Sequence, residues 1–256
     1  MYQPIQKDRA MSELTGKRAL VTGGSRGIGA SIALALAEKG ADVAITFERS
    51  ADRAAAVVRE IEGKGRKGLA IQADIADPAA VKRSVEEAVE GLGGLDILVN
   101  NAGIAHHGPF TDISLAEIDA LLHVNVRGPV LAAQAAIPHL KQGGRVISIG
   151  SGLGERVPFP NVTVYSLTKS ALLSLTRGLA RELGPRDITV NLVQPGSTDT
   201  DMNPANGDQA EGQRALTALG RYGTPDDVAA AVAFLASPAA RQITGTVVTV
   251  DGGAIA

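Results

Sequence analysis

A single doubly wound α/β domain, with seven parallel strands in one sheet and helices on both faces, is the fold class that the 256-residue sequence predicts. Short runs rich in Val, Ile, Leu and Ala alternate with longer helical patterns, the arrangement expected when strands are buried on both faces. Helix starts are signposted between the runs, and neither a Pro/Ser-rich linker nor a repeat with a period of roughly 20–50 residues divides the chain.

The strands are expected at Arg18–Thr22, Asp42–Phe47, Gly68–Ala73, Leu95–Asn100, Arg145–Ser151, Thr189–Gln194 and Thr246–Val250. Asp77 before Pro78, Ser114 with Glu117 three residues on, and Thr224 before Pro225 mark helix starts. A short polar side chain there can accept from the free N–H groups of the first turn, and proline fits the first helical position. The polar residues 1–12 lack the apolar core of a signal peptide and read as a flexible extension, with Met11 a candidate alternative start, ahead of a domain spanning 13–256. Ser197–Leu219, rich in Thr, Asp, Asn and Gly, breaks the alternation and is expected to form a flap over a site.

Composition narrows the function. Twenty-five basic against 27 acidic residues give a net charge of -2, so no broad basic field exists to gather nucleic acid or an anionic membrane. The longest stretch without Asp, Glu, Lys or Arg, Ile97–Thr111, is too short to span a bilayer. With no cysteine, disulfides and thiolate metal sites are excluded, and a reducing cytoplasm is the expected location. His106 and His107 are adjacent and without a carboxylate or Cys cluster in sequence, so no metal site is expected.

Directly after the first strand comes Thr22-Gly23-Gly24-Ser25-Arg26-Gly27-Ile28-Gly29, leading into a helical run. Glycines at such a strand-to-helix turn let the backbone approach a pyrophosphate, and the helix start offers it N–H groups and a positive dipole end. Tyr165 and Lys169 stand i and i+4 on a helix whose apolar stripe includes Leu172, Leu175, Leu179 and Leu183, so phenol and ammonium share a face and the cation is expected to lower the phenol's pKa. Ser151 follows the fifth strand, at the end of the sheet where open parallel sheets bind ligands, whereas Ser148 lies inside that strand and reads as a satisfied core hydroxyl.

The glycine turn with spacing GxxxGxG, Asn100-Asn101-Ala102-Gly103 after the fourth strand, Ser151, Tyr165-Ser166-Leu167-Thr168-Lys169, Pro195-Gly196 and Val250-Asp251-Gly252-Gly253 occur in one order and spacing. Together they resemble the classical short-chain dehydrogenase/reductase family over residues 16–256. The resemblance implies a Rossmann fold and hydride transfer between a nicotinamide cofactor and a ketone or secondary alcohol. It makes Tyr165 the general acid, Ser151 the group polarising the carbonyl, Lys169 the residue holding the nicotinamide ribose, and Asn125 part of a proton relay. It assigns the cofactor to Gly23, Ser25, Arg26, Gly27, Ile28, Gly29, Arg49, Asp74, Ile75, Asn101, Ala102, Gly103, Tyr165, Lys169, Pro195, Gly196, Thr198 and Thr200.

Glu48 would suit the ribose hydroxyls of NAD, but Phe47 takes that place in the family register, and Arg26 with Arg49 resembles the paired cations of members that prefer NADP, so NADPH is expected over NADH. The chain also resembles 3-oxoacyl-[acyl-carrier-protein] reductases throughout. Of the two cations expected to dock the acidic carrier, Arg186 is present and Leu131 stands where the other would be. A third reading, a regulatory module without turnover, rests on Asp199–Gly207, which is similar to a segment of a homologue described as binding cyclic di-GMP. The Ala-rich faces of Leu115–Leu140 and Val162–Leu183, with Phe234–Ala256, imply a homotetramer or a homodimer.

Overall fold

The computed structural model describes residues 13–256, and the extension expected at 1–12 lies outside the described residues. Strands β1 (Arg18–Val21), β2 (Asp42–Phe47), β3 (Gly68–Gln72), β4 (Ile97–Asn100), β5 (Arg145–Ile149), β6 (Thr189–Pro195) and β7 (Val247–Val250) form one parallel sheet in the order β3-β2-β1-β4-β5-β6-β7. The order reverses between β1 and β4, which opens a crevice at their carboxyl ends.

The strand expected from Leu95 begins two residues later, because Gly93 and Gly94 take positive φ and Asp96 turns its carboxylate onto the Arg18 backbone N–H and guanidinium at 3.0 and 2.7 Å. The fifth strand stops at Ile149, so Gly150 and Ser151 leave the sheet at its carboxyl end.

Among the described residues the helices are α1 (Gly27–Glu38), α2 (Ala51–Gly63), α3 (Pro78–Leu92), α4 (Leu115–Leu122), α5 (Gly128–Ala136), α6 (Thr163–Leu183), α7 (Ala210–Ala215) and α8 (Pro225–Ala236), with shorter helical turns between them. The three signposted starts are capped as expected. Asp77 accepts from Ala79 N–H, and Ser114/Glu117 and Thr224/Asp227 form reciprocal capping boxes. The helical stretch from Leu115 is not uniform, since His123–Arg127 form a π-helical turn between α4 and α5. Pro129 has no N–H to give back to the carbonyl of Asn125, which relaxes the i→i+4 ladder at this point.

Alternate residues of each strand feed two cores. Ala19, Val21, Val43, Ile45, Ile97 and Val99 pack under α1 and α8, while Leu20, Ala44, Leu98 and Val146 pack under α3, α5 and α6. The central strands β4, β5 and β6 are buried along their whole length, which leaves their carboxyl ends and the loops above them as the place where polar groups can meet a ligand. No helix of the described residues is long and apolar enough to cross a membrane.

Candidate active site in the crevice

The glycine turn is held from three sides. Gly23 and Gly24 N–H groups donate to the Thr46 hydroxyl and carbonyl of β2 at 3.0 and 2.9 Å. The Asn101 amide donates to the carbonyls of Thr22 and Gly23 at 2.9 and 3.0 Å, and the Thr22 hydroxyl accepts from the N–H groups of Asn101 and Ala102. Gly23 has φ +65, and a Cβ on Gly29 would collide with the Gly23 carbonyl oxygen and the Asn101 amide nitrogen. Asn101 therefore does structural work at the turn, and Gly29 is demanded by a close approach of backbone to backbone. The start of α1 carries neither a side-chain cap nor an acidic residue in its first turn, so its N–H groups face the crevice with their positive end uncompensated.

The crevice is a continuous cleft of about 1140 Å³. Every residue assigned above to cofactor or catalysis lines it except Asn125. Asn125, buried in the π-helical turn, accepts from Ile104 N–H and donates to the Ile104 carbonyl and the Thr168 hydroxyl, all at 2.9–3.0 Å. It reaches the site through Gly103, where a Cβ would stand 3.3 Å from the Lys169 ammonium and 3.4 Å from the Asn125 amide oxygen. The flap expected at Ser197–Leu219 does cover the cleft, with Thr198, Thr200, Met202, Pro204, Gln213 and Leu216 on its inner side. Asn203 and Gln213 fasten this flap to itself at 2.8 and 3.1 Å, and Ser197 donates to Gln213.

Tyr165 and Lys169 share a face of α6, as their spacing requires, but not in the electrostatic relation expected. The Lys169 ammonium is buried, donates to the Ile149 carbonyl at 3.1 Å and lies 5.8 Å from the centre of the Tyr165 ring. Burial lowers it to about 8. Burial also raises the Tyr165 phenol above its ordinary value, and a hydrogen bond with Ser151 only partly opposes this. The expected lowering of the phenol by Lys169 is absent because the ammonium is directed at a carbonyl of β5 and is itself destabilised by the same apolar surroundings. Tyr165 is thus a proton donor throughout the neutral range. Ser151 caps a short helical turn by accepting from Leu153 N–H at 3.2 Å.

The cations expected at a ribose phosphate separate. Arg49 is 87% exposed and pairs with Glu48 at 2.8 Å, whereas Arg26 reaches across to Asp201 of the flap, together with Arg53 of α2. Arg53 and Asp201 escaped the reading of the sequence; the only signal was the place of Arg53 on the first turn of α2, four residues after Arg49. His106 lies 3.3 Å from Glu117 and His107 lines the cleft.

A switch-point crevice with a glycine turn against an uncapped helix start, and a serine, tyrosine and lysine on its wall, defines a nucleotide-dependent α/β enzyme. The family model described as enoyl-(acyl carrier protein) reductase matches residues 23–254. The chain is 42% identical over 242 residues to the cyclic-di-GMP-binding biofilm dispersal mediator protein of Escherichia coli (strain K12), covering 94% of this chain and 98% of that protein. It is 43% identical over 240 residues to the 3-oxoacyl-[acyl-carrier-protein] reductase of Staphylococcus aureus (strain Mu50), covering 93% and 97%. A short chain dehydrogenase from Burkholderia cenocepacia J2315, crystallised in complex with NADP, superposes with a TM-score of 0.95 at 59% identity over 95% of this chain and 100% of that one. The chain belongs to the short-chain dehydrogenase/reductase family and is an oxidoreductase of that family.

Proposed function

We propose that the protein reduces a ketone, or oxidises the matching secondary alcohol, with NADP(H), and that Ser151, Tyr165 and Lys169 carry the chemistry. The observation that carries this reading is their convergence on one wall of the cleft that begins at the glycine turn. The residues fit the cofactor. The uncapped start of α1 suits a pyrophosphate, Arg26 sits at the adenosine end, and Lys169 faces Gly103 within the cleft. When bound, the nicotinamide supplies or accepts the hydride.

Tyr165, protonated at neutral pH, donates its proton to the carbonyl oxygen as that oxygen gains charge. Ser151, beside Tyr165 on the cleft wall, offers a second donor to the same oxygen. With the cofactor bound, Lys169 would hold a ribose hydroxyl and reprotonate the phenol. Asn125 is the next member of the proton path, held beside the lysine by its bonds to Ile104 and Thr168. Asp74, Ile75 and Thr200 complete the cofactor wall. NADP rather than NAD is favoured by the Arg26 and Arg53 guanidinium groups at the mouth and by the NADP-bound relative.

Free ketones are reduced at least as efficiently as carrier-linked acyl chains. Arg186, which donates to the Ile137 and Leu140 carbonyls beyond α5, keeps its charge, but Leu131, packed against the core, stands where the second cation would be, so the pair that would dock an acidic carrier is half missing. The assembly is a homotetramer or homodimer. Val130 of α5, Leu167 of α6 and Phe234 of α8 are exposed hydrophobic side chains on the helices that would meet a second copy. A panel of free and carrier-linked ketones with NADPH and NADH tests the activity. Binding of cyclic di-GMP with no turnover of any carbonyl would favour the regulatory reading suggested by the Escherichia coli relative.

A further inference from the structure

The flap residue Asp201 stands between the two arginines at the mouth of the cleft. Its Oδ2 accepts from Arg26 Nη1 at 3.1 Å and from Arg53 Nη1 at 2.5 Å. Three elements meet at this one oxygen: the glycine turn, the first turn of α2, and the flap that follows β6. The two guanidinium groups hold the carboxyl below the ordinary aspartate range, so it is an anion at neutral pH. Arg53 lies in the first turn of α2, and its guanidinium reaches out to Asp201 at the mouth of the cleft. Arg49, by contrast, is occupied by its own neighbour Glu48 and points to solvent.

We propose that Asp201 is a specificity-determining residue that competes with the 2′-phosphate of NADP(H) for Arg26 and Arg53, and that Arg53 rather than Arg49 is the second phosphate cation. This rests on the NADP reading given above. A carboxylate between two guanidinium groups is chemically what a phosphate would replace, since both present oxygens to the same planar donors and the dianion binds more strongly. The phosphate takes the two arginines from Asp201 and thereby frees the flap at Asp201, whereas NADH, which has no such group, leaves the ion pairs in place. The flap is then less tightly held with one cofactor than with the other, and Asp201 reduces the margin by which NADPH is preferred.

The experiment is fluorescence titration of NADPH and NADH into the full chain and into Asp201→Asn, Arg53→Ala and Arg49→Ala. Asp201→Asn is expected to tighten NADPH by roughly three- to tenfold, because two exposed ion pairs are lost as competitors, and to leave NADH within about twofold. Arg53→Ala should narrow the NADPH/NADH ratio at least fivefold, and Arg49→Ala should change it by less than twofold. An unchanged ratio in Asp201→Asn, an equal weakening of both cofactors, or a larger effect from Arg49→Ala than from Arg53→Ala would overturn the inference while leaving an NADPH-preferring wild type intact. A wild type without preference for NADPH would remove the cofactor reading itself and this inference with it.

Discussion

Replacing Lys169 with methionine should destroy catalysis and make the cofactor-free protein more stable. Lys169 is 5% exposed, its ammonium donates to the Ile149 carbonyl, and burial is what lowers its pKa. Lowering its pKa from 10.5 to about 8 corresponds, at about 1.36 kcal/mol per tenfold, to roughly 3 kcal/mol of penalty carried by the folded state when the group is charged. Methionine has a similar length and no charge, but it leaves the Ile149 carbonyl unpaired, at a cost of about 1 kcal/mol. The net gain near neutral pH is about 2 kcal/mol, or a rise of roughly 4–8 °C in Tm for a chain of this size.

The sign of the pH dependence follows from a folded pKa below the unfolded one. Below about 8 both states carry the proton and the penalty is complete; between about 8 and 10.5 the unfolded chain binds more protons, so wild-type stability rises with pH and the penalty fades. Thermal melts of wild type and variant from pH 6 to 10, without cofactor, should show a gap that is constant up to about 8 and then closes. A variant that melts no higher than wild type at pH 7, or a gap that does not shrink above pH 8, would refute this account of the lysine. Such stability lost to a functional group is a common feature of active sites.

Tyr165→Phe should lower kcat by about 10²- to 10⁴-fold while leaving cofactor affinity within a few-fold, measured by single-turnover reduction and by fluorescence titration; loss of less than tenfold would remove it as the proton donor. Gly29→Ala should abolish cofactor binding and lower the midpoint of urea unfolding, because the added methyl cannot share space with the Gly23 carbonyl and the Asn101 amide, and overpacking of this kind costs about 1–3 kcal/mol. Light scattering should give a mass of two or four chains at micromolar concentration, and a species of 26.2 kDa would contradict the assembly.

The alternation of aliphatic strands and capped helices was enough to place all seven strands and the three signposted helix starts, because burial on both faces leaves an unbroken apolar run and a cap is a contact between residues two or three apart. The placement of the glycine turn, Ser151, Tyr165 and Lys169 on one cleft was legible for a related reason: each stands at a strand end or on one helix face, and local geometry fixes its direction. The interactions decided by tertiary structure are those that join distant segments. Asp201 lies 175 positions from Arg26 and 148 from Arg53, so no local pattern relates them. The direction of the Tyr165 shift depends on how completely the surrounding strands and loops exclude water, and the apparent neighbour Lys169 proved to be committed to β5. A sequence records which groups are present and which lie on one face; the field at a given atom is set by everything packed around it, and only the assembled sheet and flap supply that.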